Sequence, residues 1–538
     1  MAQFLDLFGF LSVLLRAATL SFGAIAVGGV AFSLIVRRGS APSASSSRLL
    51  SISAFCLAAT ELSYVLANSA ILASTADLSL RELIGASYFA WGCTSAAAAL
   101  VLGIRSATRA PRVGPLEVMC ALVILSATVA TSHAAARLDH QSVLVVATAL
   151  HQGAAAAWIG GLPYLLLTLR RCDSAEAVAL CKRFSRMAVV SVVSLFGAGV
   201  VLSRFYIGEP AALYGTTYGV MVTAKALLFA LILSLGALNF RLIRAPGQRG
   251  DGWLKWLGRI SEAEIGIGIT ALLAAASLTS QPPAIDLTSN RVDLSTIVQR
   301  VSPKLPRMDT PPLSTLSPSS REVWKKEHPP GTPNAQMYVP GQEPYVPPTA
   351  GDIAWSEYNH HWAGLVVLVM GVLAVLSRYR WFTWARHWPI AFVGLAVFLL
   401  LRADPENWPL GPSGFWESFE SSDVAQHRLF VLLIVVFAAF EWGVQTRRLA
   451  APKAALVFPA VCALGGALLL THMHGVTNIR DELLAELSHT PLALLAVTAG
   501  WARWLDLRFP GPAHRVAARI WPVCFALIGV VLLLYREA

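Results

Sequence analysis

Apolar residues recur along the chain in runs of about twenty, long enough to cross a ~30 Å hydrocarbon core as helix. The first eight runs fall at residues 9–36, 49–73, 83–104, 116–136, 142–169, 187–203, 218–240 and 260–280. A polar, Pro-rich stretch fills 281–357. Six more runs follow at 360–378, 388–402, 427–446, 456–472, 487–505 and 520–535. The pattern predicts an all-α, polytopic integral membrane protein of about 14 transmembrane helices. Eight belong to a bundle over residues 1–280 and six to a bundle over 358–538, with 281–357 as the loop between them.

Lys and Arg set the direction of threading. With the N-terminus outside, the inner loops hold Arg37, Arg38, Arg48, Arg105, Arg170, Arg171, Arg241, Arg378, Arg447, Arg503 and Arg519, among 26 of the 42 basic residues. Both termini and the 281–357 loop are then expected outside. The start, Met1-Ala2-Gln3-Phe4, has no basic n-region, so the first run is expected to be a retained helix and not a cleaved signal.

Composition sharpens this reading. Of 538 residues, 55% are hydrophobic and 14% charged, against roughly 25% charged in an ordinary soluble domain. That excludes a cytosolic enzyme and a nucleic-acid binder. The net charge of +11 is mostly positive-inside residues, so it says little about an acidic partner. Seven cysteines include no C-x-x-C or C-x-C pair, which argues against a disulfide framework. No P-loop is present, so nothing couples transport to ATP. The loop holds 14 of the 30 prolines, which block helix and sheet ladders. Within it, Asp293 to Val301 reads as a short amphipathic helix. The remainder is a spacer or a docking surface for an extracytoplasmic partner.

Ten of the twelve His fall at outer ends, in outer loops or in the outer half of a span. In the six-helix half, His360 and His361 open one span, His427 opens another, His472-Met473-His474 close a third and His489 opens a fourth. Imidazole serves Cu, Zn, Fe and Ni, and a thioether favours Cu(I). Ionisable residues at membrane depth mark function by default. A copper site is therefore expected at His360, His361, His427, His472, Met473, His474 and His489. Axial His pairs for haem b are the alternative use of the same residues. His472 and His474 can converge only if the helix end unwinds at Gly475.

The eight-helix half differs. Its fifth run reads His151-Gln152-Gly153-Ala154-Ala155-Ala156-Ala157-Trp158-Ile159-Gly160-Gly161. Gly153, Ala157 and Gly161 form a small-xxx-small stripe for close helix approach. His151 and Trp158 share a neighbouring face, and His151 is expected to be a transit ligand. Glu61, Lys225 and Glu264 are charges inside spans, where each needs a partner. Their depths predict a Glu61–Lys225 pair, either structural or part of the permeation path.

His151, Trp158-Ile159-Gly160-Gly161-Leu162, Phe184-Ser185, Gly197, Thr217-Tyr218-Gly219, Lys225, Asn239, Glu264 and Pro282-Pro283, in that order, resemble the copper resistance protein D (CopD) family. The resemblance covers roughly residues 140–285, and the six-helix half resembles the C-terminal halves of longer members. It implies a multi-pass protein of the bacterial inner membrane that takes copper from a periplasmic copper-binding protein into the cytoplasm. It carries His151, Trp158 and Lys225 as important positions, and it implies a transporter, not an enzyme. Two other readings stand beside it: a haem- or copper-binding redox protein using the C-terminal His cluster, and a copper-delivery factor for respiratory oxidase assembly. Expected ligands and partners are copper ion, a periplasmic copper protein and the lipid bilayer, with no nucleic acid.

Overall fold

The computed structural model describes residues 2–38, 43–75, 79–108, 113–244, 252–287, 291–316, 349–405, 407–420, 422–449, 451, 453–471, 479–509 and 514–537. Among the described residues all regular structure is helical. In chain order the α-helices are α1 (Ala2–Ala31), α2 (Ala44–Thr75), α3 (Leu80–Gly85), α4 (Ser87–Thr108), α5 (Pro115–Ala130), α6 (His133–Ala136), α7 (Gln141–Ala155), α8 (Leu162–Leu169), α9 (Ser174–Tyr206) and α10 (Ala212–Gly215). There follow α11 (Thr217–Arg244), α12 (Trp253–Thr279), α13 (Leu294–Val301), α14 (Ala350–Leu376), α15 (Ala391–Arg402), α16 (Ser422–Gln445), α17 (Val457–Leu469), α18 (Ile479–Arg508) and α19 (His514–Leu533).

Twelve helices among the described residues are long and apolar enough to cross a membrane. Two shorter apolar helices, Pro115–Ala130 and Ala454–Leu469, fall on the fourth and twelfth predicted runs. The fourth run was expected to reach residue 136. Helix α5 ends at Ala130, and α6 is a separate turn beginning at His133. Helix α9, on the sixth predicted run, begins at Ser174, well before the expected residue 187, because the Asp173 carboxylate caps it by accepting the Glu176 N–H at 2.8 Å. The basic residues that set the expected boundary lie on this helix, and Arg183 donates to the Val36 carbonyl at 3.2 Å.

The chain forms two compact units. One comprises residues 10–213 and 221–288. Its packing turns on a π-turn at Ala156–Gly160 between α7 and α8. Pro163 has no N–H to give the Ile159 carbonyl, so the helical ladder cannot continue in register there. The extra residue rotates the small-residue face. Gly160, and not Gly153 or Gly161, meets α1: a Cβ on Gly160 would lie 1.9 Å from the Ala24 carbonyl oxygen, and one on Gly28 would lie 2.3 Å from that of Ala156. A Cβ on Gly153 would meet only Leu125, at 3.5 Å. The stripe read from the sequence is thus displaced by the π-turn. Backbones touch where two glycines face each other, which is how membrane helices approach closely without a hydrophobic driving force.

The other unit comprises residues 1–9, 214–220 and 289–538. Its core is aromatic: Trp388, Phe392, Phe458, Trp521 and Phe525 are buried together, with Phe437 against them. Trp388 meets Phe458 and Trp521, each at 5.7 Å between ring centres. Helix α14 starts with a capping box between Thr349 and Asp352. The predicted amphipathic segment forms α13, Leu294–Val301.

Buried charges also tie this unit together. Arg503 donates to Glu441 at 2.9 Å and to Asp506 at 2.7 Å. Trp521 Nε1 donates to Asp506 at 3.1 Å, and Arg378 lies 3.5 Å from the same carboxylate. The expectation that Arg503 and Arg378 serve only as inside-loop charges omits this bonding. Paired with buried carboxylates, they join α14, α16, α18 and α19.

Candidate functional site

In the first unit, the residues of interest lie along α7, its π-turn and the helices around them. His151 sits in the last turns of α7. Its imidazole lies beside the Leu195 carbonyl of α9 and close enough to Lys225 of α11 for the two to interact electrostatically. Gly199 leaves room for the ring: a Cβ there would lie 3.8 Å from His151 Cε1. His151 Nδ1 is buried with no hydrogen-bond partner among the described residues. A buried ring nitrogen without a partner is costly to a merely structural histidine.

Seven residues on, Trp158 is 3% exposed. Its ring meets Phe229 edge-on at 6.3 Å. Gly236 on α11 lies between Trp158 and Glu264: a Cβ there would be 3.5 Å from Trp158 Cζ2 and 3.9 Å from Glu264 Oε1. Glu264 on α12 is 2% exposed. Asn239 donates to Glu264 Oε1 at 2.7 Å and to Ser261 Oγ at 3.1 Å. An imidazole, a lysine, an indole and a carboxylate–amide pair therefore line one side of the bundle, where membrane cores are ordinarily apolar. Asn239 and Glu264 were visible in the sequence as motif positions. What the sequence did not show is that Gly236 brings them to Trp158.

The expected Glu61–Lys225 pair does not form. The cation that acts on Glu61 is Arg16 of α1, and Ser95 of α4 donates to its carboxylate at 3.5 Å. Arg16 in turn donates to Thr131 at 3.3 Å. Compatible depth was not enough, because the two residues face different helices. Cys172 lies in the turn before α9. Burial, with Glu176 beside it, pushes its thiol up to about 11, and it donates to the Thr168 carbonyl at 3.3 Å. It remains a protonated thiol at neutral pH, a poor metal ligand.

In the second unit the predicted His cluster divides. His360 of α14 and His489 of α18 come together, their ring centres 6.2 Å apart and their planes perpendicular. Tyr535 stacks on His360 at 3.7 Å. His361 is turned away and fully buried. Its Nδ1 accepts the Arg307 N–H at 2.7 Å, and its Nε2 lies 3.0 Å from the Tyr535 carbonyl. His427 bonds Asp404 at 2.7 Å. His472, Met473 and His474 lie outside the described residues. Of the seven residues expected to form a copper site, two imidazoles meet, two are held elsewhere and three lie outside the described residues. Among the described residues no group of three or more His, Cys, Asp or Glu converges to hold a metal ion. The haem alternative likewise loses His361 and His427 as free axial ligands.

The apolar helices, with polar side chains buried inside one bundle, define a polytopic, all-helical membrane protein. Residues 178–278 match the family model for copper resistance protein D. Lys225, Asn239 and Glu264 lie within that stretch; His151 and Trp158 lie just before it. The chain is also 33% identical over 163 residues to a copper transport protein, CutJ, of Bacillus subtilis. That similarity covers 30% of this chain and 29% of the relative's length. No solved structure matches the chain. Through this region the chain resembles the copper resistance protein D (CopD) family, and the similarity to the relative spans less than a third of that protein's length.

Proposed function

We propose that the chain carries copper inward across the bacterial inner membrane through its first unit. Copper delivered by a periplasmic copper-binding protein would be taken by His151. It would then pass the π-turn toward Trp158 and Glu264, about 10 Å further along the helix. The observation that carries this reading is the buried, unpartnered His151 Nδ1, on the helix that leads to the buried Glu264–Asn239 pair of the family-matched region. An imidazole offers a labile ligand to copper. The Glu264 carboxylate supplies negative charge to a cation deep in the bundle. Lys225, next to His151, opposes a resting cation there and favours brief occupancy over storage.

Copper accumulation in cells expressing the chain tests this. His151→Ala and Glu264→Gln, at equal membrane levels, are expected to lower uptake by ~10-fold or more, the scale of losing a metal ligand or its support. Uptake equal to the wild type in both variants would overturn the reading.

A further inference from the structure

Glu61 is a carboxylate in the middle of α2, a helix long and apolar enough to cross a membrane. The path from His151 to Glu264 makes no use of it. Glu61 and Arg16 of α1 are both buried. Three other buried carboxylates are closed into ion pairs: Glu117 with Arg105 at 3.2 Å, and Glu441 and Asp506 with Arg503 at 2.9 and 2.7 Å. Glu61 is held differently. Among the described residues no cation closes an ion pair on it, and the hydrogen bond it accepts from Ser95 Oγ of α4 is long, at 3.5 Å. Arg16 acts on it electrostatically. The guanidinium itself stands over the Tyr64 ring, 5.9 Å from its centre and one turn further along α2, and donates to Thr131 Oγ1 at 3.3 Å.

A carboxylate held inside a membrane without an ion pair is neutralised most cheaply by a proton. The same unit offers a way in. Two residues beyond Thr131, His133 begins α6. It lines a cleft of about 420 Å³ with Arg137, Asp139 and Asp286, at the end of the bundle that the charge pattern places outside. Its Nε2 is buried with no hydrogen-bond partner among the described residues. Arg16 acts electrostatically on His133 as it does on Glu61, so one guanidinium links the cleft to the carboxylate. We propose that Glu61 is a proton-binding site, loaded and unloaded through the His133 cleft, whose charge sets the barrier to a cation entering the first unit.

One proton from cleft water adds to a carboxylate oxygen of Glu61 and leaves by the same route; nothing is oxidised or reduced. His133 passes it on, since an imidazole takes a proton on one nitrogen and releases one from the other. With Glu61 ionised, its charge offsets that of Arg16. With Glu61 protonated, Arg16 is uncompensated and repels a cation at the outer end. The neighbouring groups leave this balance to the two of them. Tyr64 on the same helix lies under the guanidinium, and α4 presents the Ser95 hydroxyl. Arg105, also on α4, is held by Glu117 at 3.2 Å, and in the cleft Arg137 is held by Asp286 at 3.2 Å. The gate rests on the inward copper reading of this unit; the proton site does not.

The test begins without copper. Infrared difference spectra of the purified full chain in lipid vesicles are taken between about pH 4 and about pH 9, the values of a free and of a deeply buried glutamate. They should show a protonated-carboxyl stretch that grows as pH falls, is missing in Glu61→Gln and is kept in Glu61→Asp. The Asp variant retains the acid and shows that the loss is not misfolding. A Glu61-dependent band that is absent at every pH, or present and unchanging at every pH, overturns the site. Copper uptake into the same vesicles, with outer and inner pH set independently, tests the gate. Wild-type uptake should fall as the outer pH is lowered. Glu61→Gln should be insensitive to outer pH and ~10-fold slower than the wild type at high pH, the scale of one unit charge about 10 Å away at an effective dielectric of about 20. His133→Gln should slow the response to a jump in outer pH. A response to inner pH alone, a Glu61→Gln profile parallel to the wild type, or a response as fast as the wild type in His133→Gln overturns the proposal. The two readings fail separately: if His151→Ala and Glu264→Gln transport like the wild type, the copper path falls while the titrating Glu61 band stands.

Discussion

The π-turn makes a prediction that the sequence pattern inverts. Gly153 heads the small-xxx-small stripe, yet a methyl there would reach only Leu125 Cδ2 at 3.5 Å, ordinary van der Waals contact. Gly160 is outside the stripe, yet its added Cβ would lie 1.9 Å from the Ala24 carbonyl oxygen and 2.5 Å from the Ala24 carbonyl carbon. Both are backbone atoms, so no side-chain rotation relieves the overlap, and α1 itself must move by more than an ångström. Gly153→Ala is expected to be neutral or stabilising by about 0.5–1 kcal/mol, the gain of alanine over glycine in a helix. Gly160→Ala gains the same propensity but meets an overpacking cost of about 1–3 kcal/mol or more, leaving it the less stable of the two by at least ~1 kcal/mol. The assay is the unfolding midpoint of purified protein in mixed micelles titrated with denaturing detergent. Copper uptake is measured alongside, because a displaced α1 would also shift the turn carrying Trp158. Equal midpoints for Gly153→Ala and Gly160→Ala, or Gly153→Ala as the more damaging change, would refute the displaced face and the π-turn behind it.

Arg503→Leu removes the buried cation shared by the Glu441 and Asp506 carboxylates, 0% and 8% exposed. It should cost about 3–5 kcal/mol, and an unchanged thermal midpoint would sink that assignment. His133 lies outside the membrane-spanning helices. Burial, aided by Arg16 and Arg137, holds its pKa below the ordinary 6.5, against the pull of its bond to the Thr279 carbonyl and of Asp286. The unfolded chain then binds the proton first, so the His133 contribution to stability is intact above the unfolded value and is lost as pH falls through 6.5 toward the folded value. His133→Gln should flatten the fall of the unfolding midpoint over this window; parallel pH profiles would count against a buried neutral imidazole. Cys172, with its thiol pushed up to about 11, should react with maleimide at neutral pH ~10-fold or more slower than an exposed thiol of ordinary acidity. Rapid labelling in a variant that keeps only this cysteine would contradict its placement.

Sequence by itself determined the membrane class, the helical architecture and the approximate positions of the apolar spans. These follow from local quantities: a run either is or is not long and apolar enough to cross hydrocarbon, and that sum is taken along the chain without reference to any neighbour. The family-marking residues were legible for a related reason, since Lys225, Asn239 and Glu264 are polar where apolar residues are the rule. Tertiary structure decided which of these residues meet. Glu61 found Arg16 instead of Lys225, and Glu264 reached Trp158 across a glycine. Of the aligned histidines, His360 met His489 while His361 and His427 took other partners. Depth in the membrane is one coordinate, readable from position along a helix. The rotation of each helix and the identity of its neighbour are the others. Here a single π-turn reset the rotation by one residue, which no regular 3.6-residue period can register.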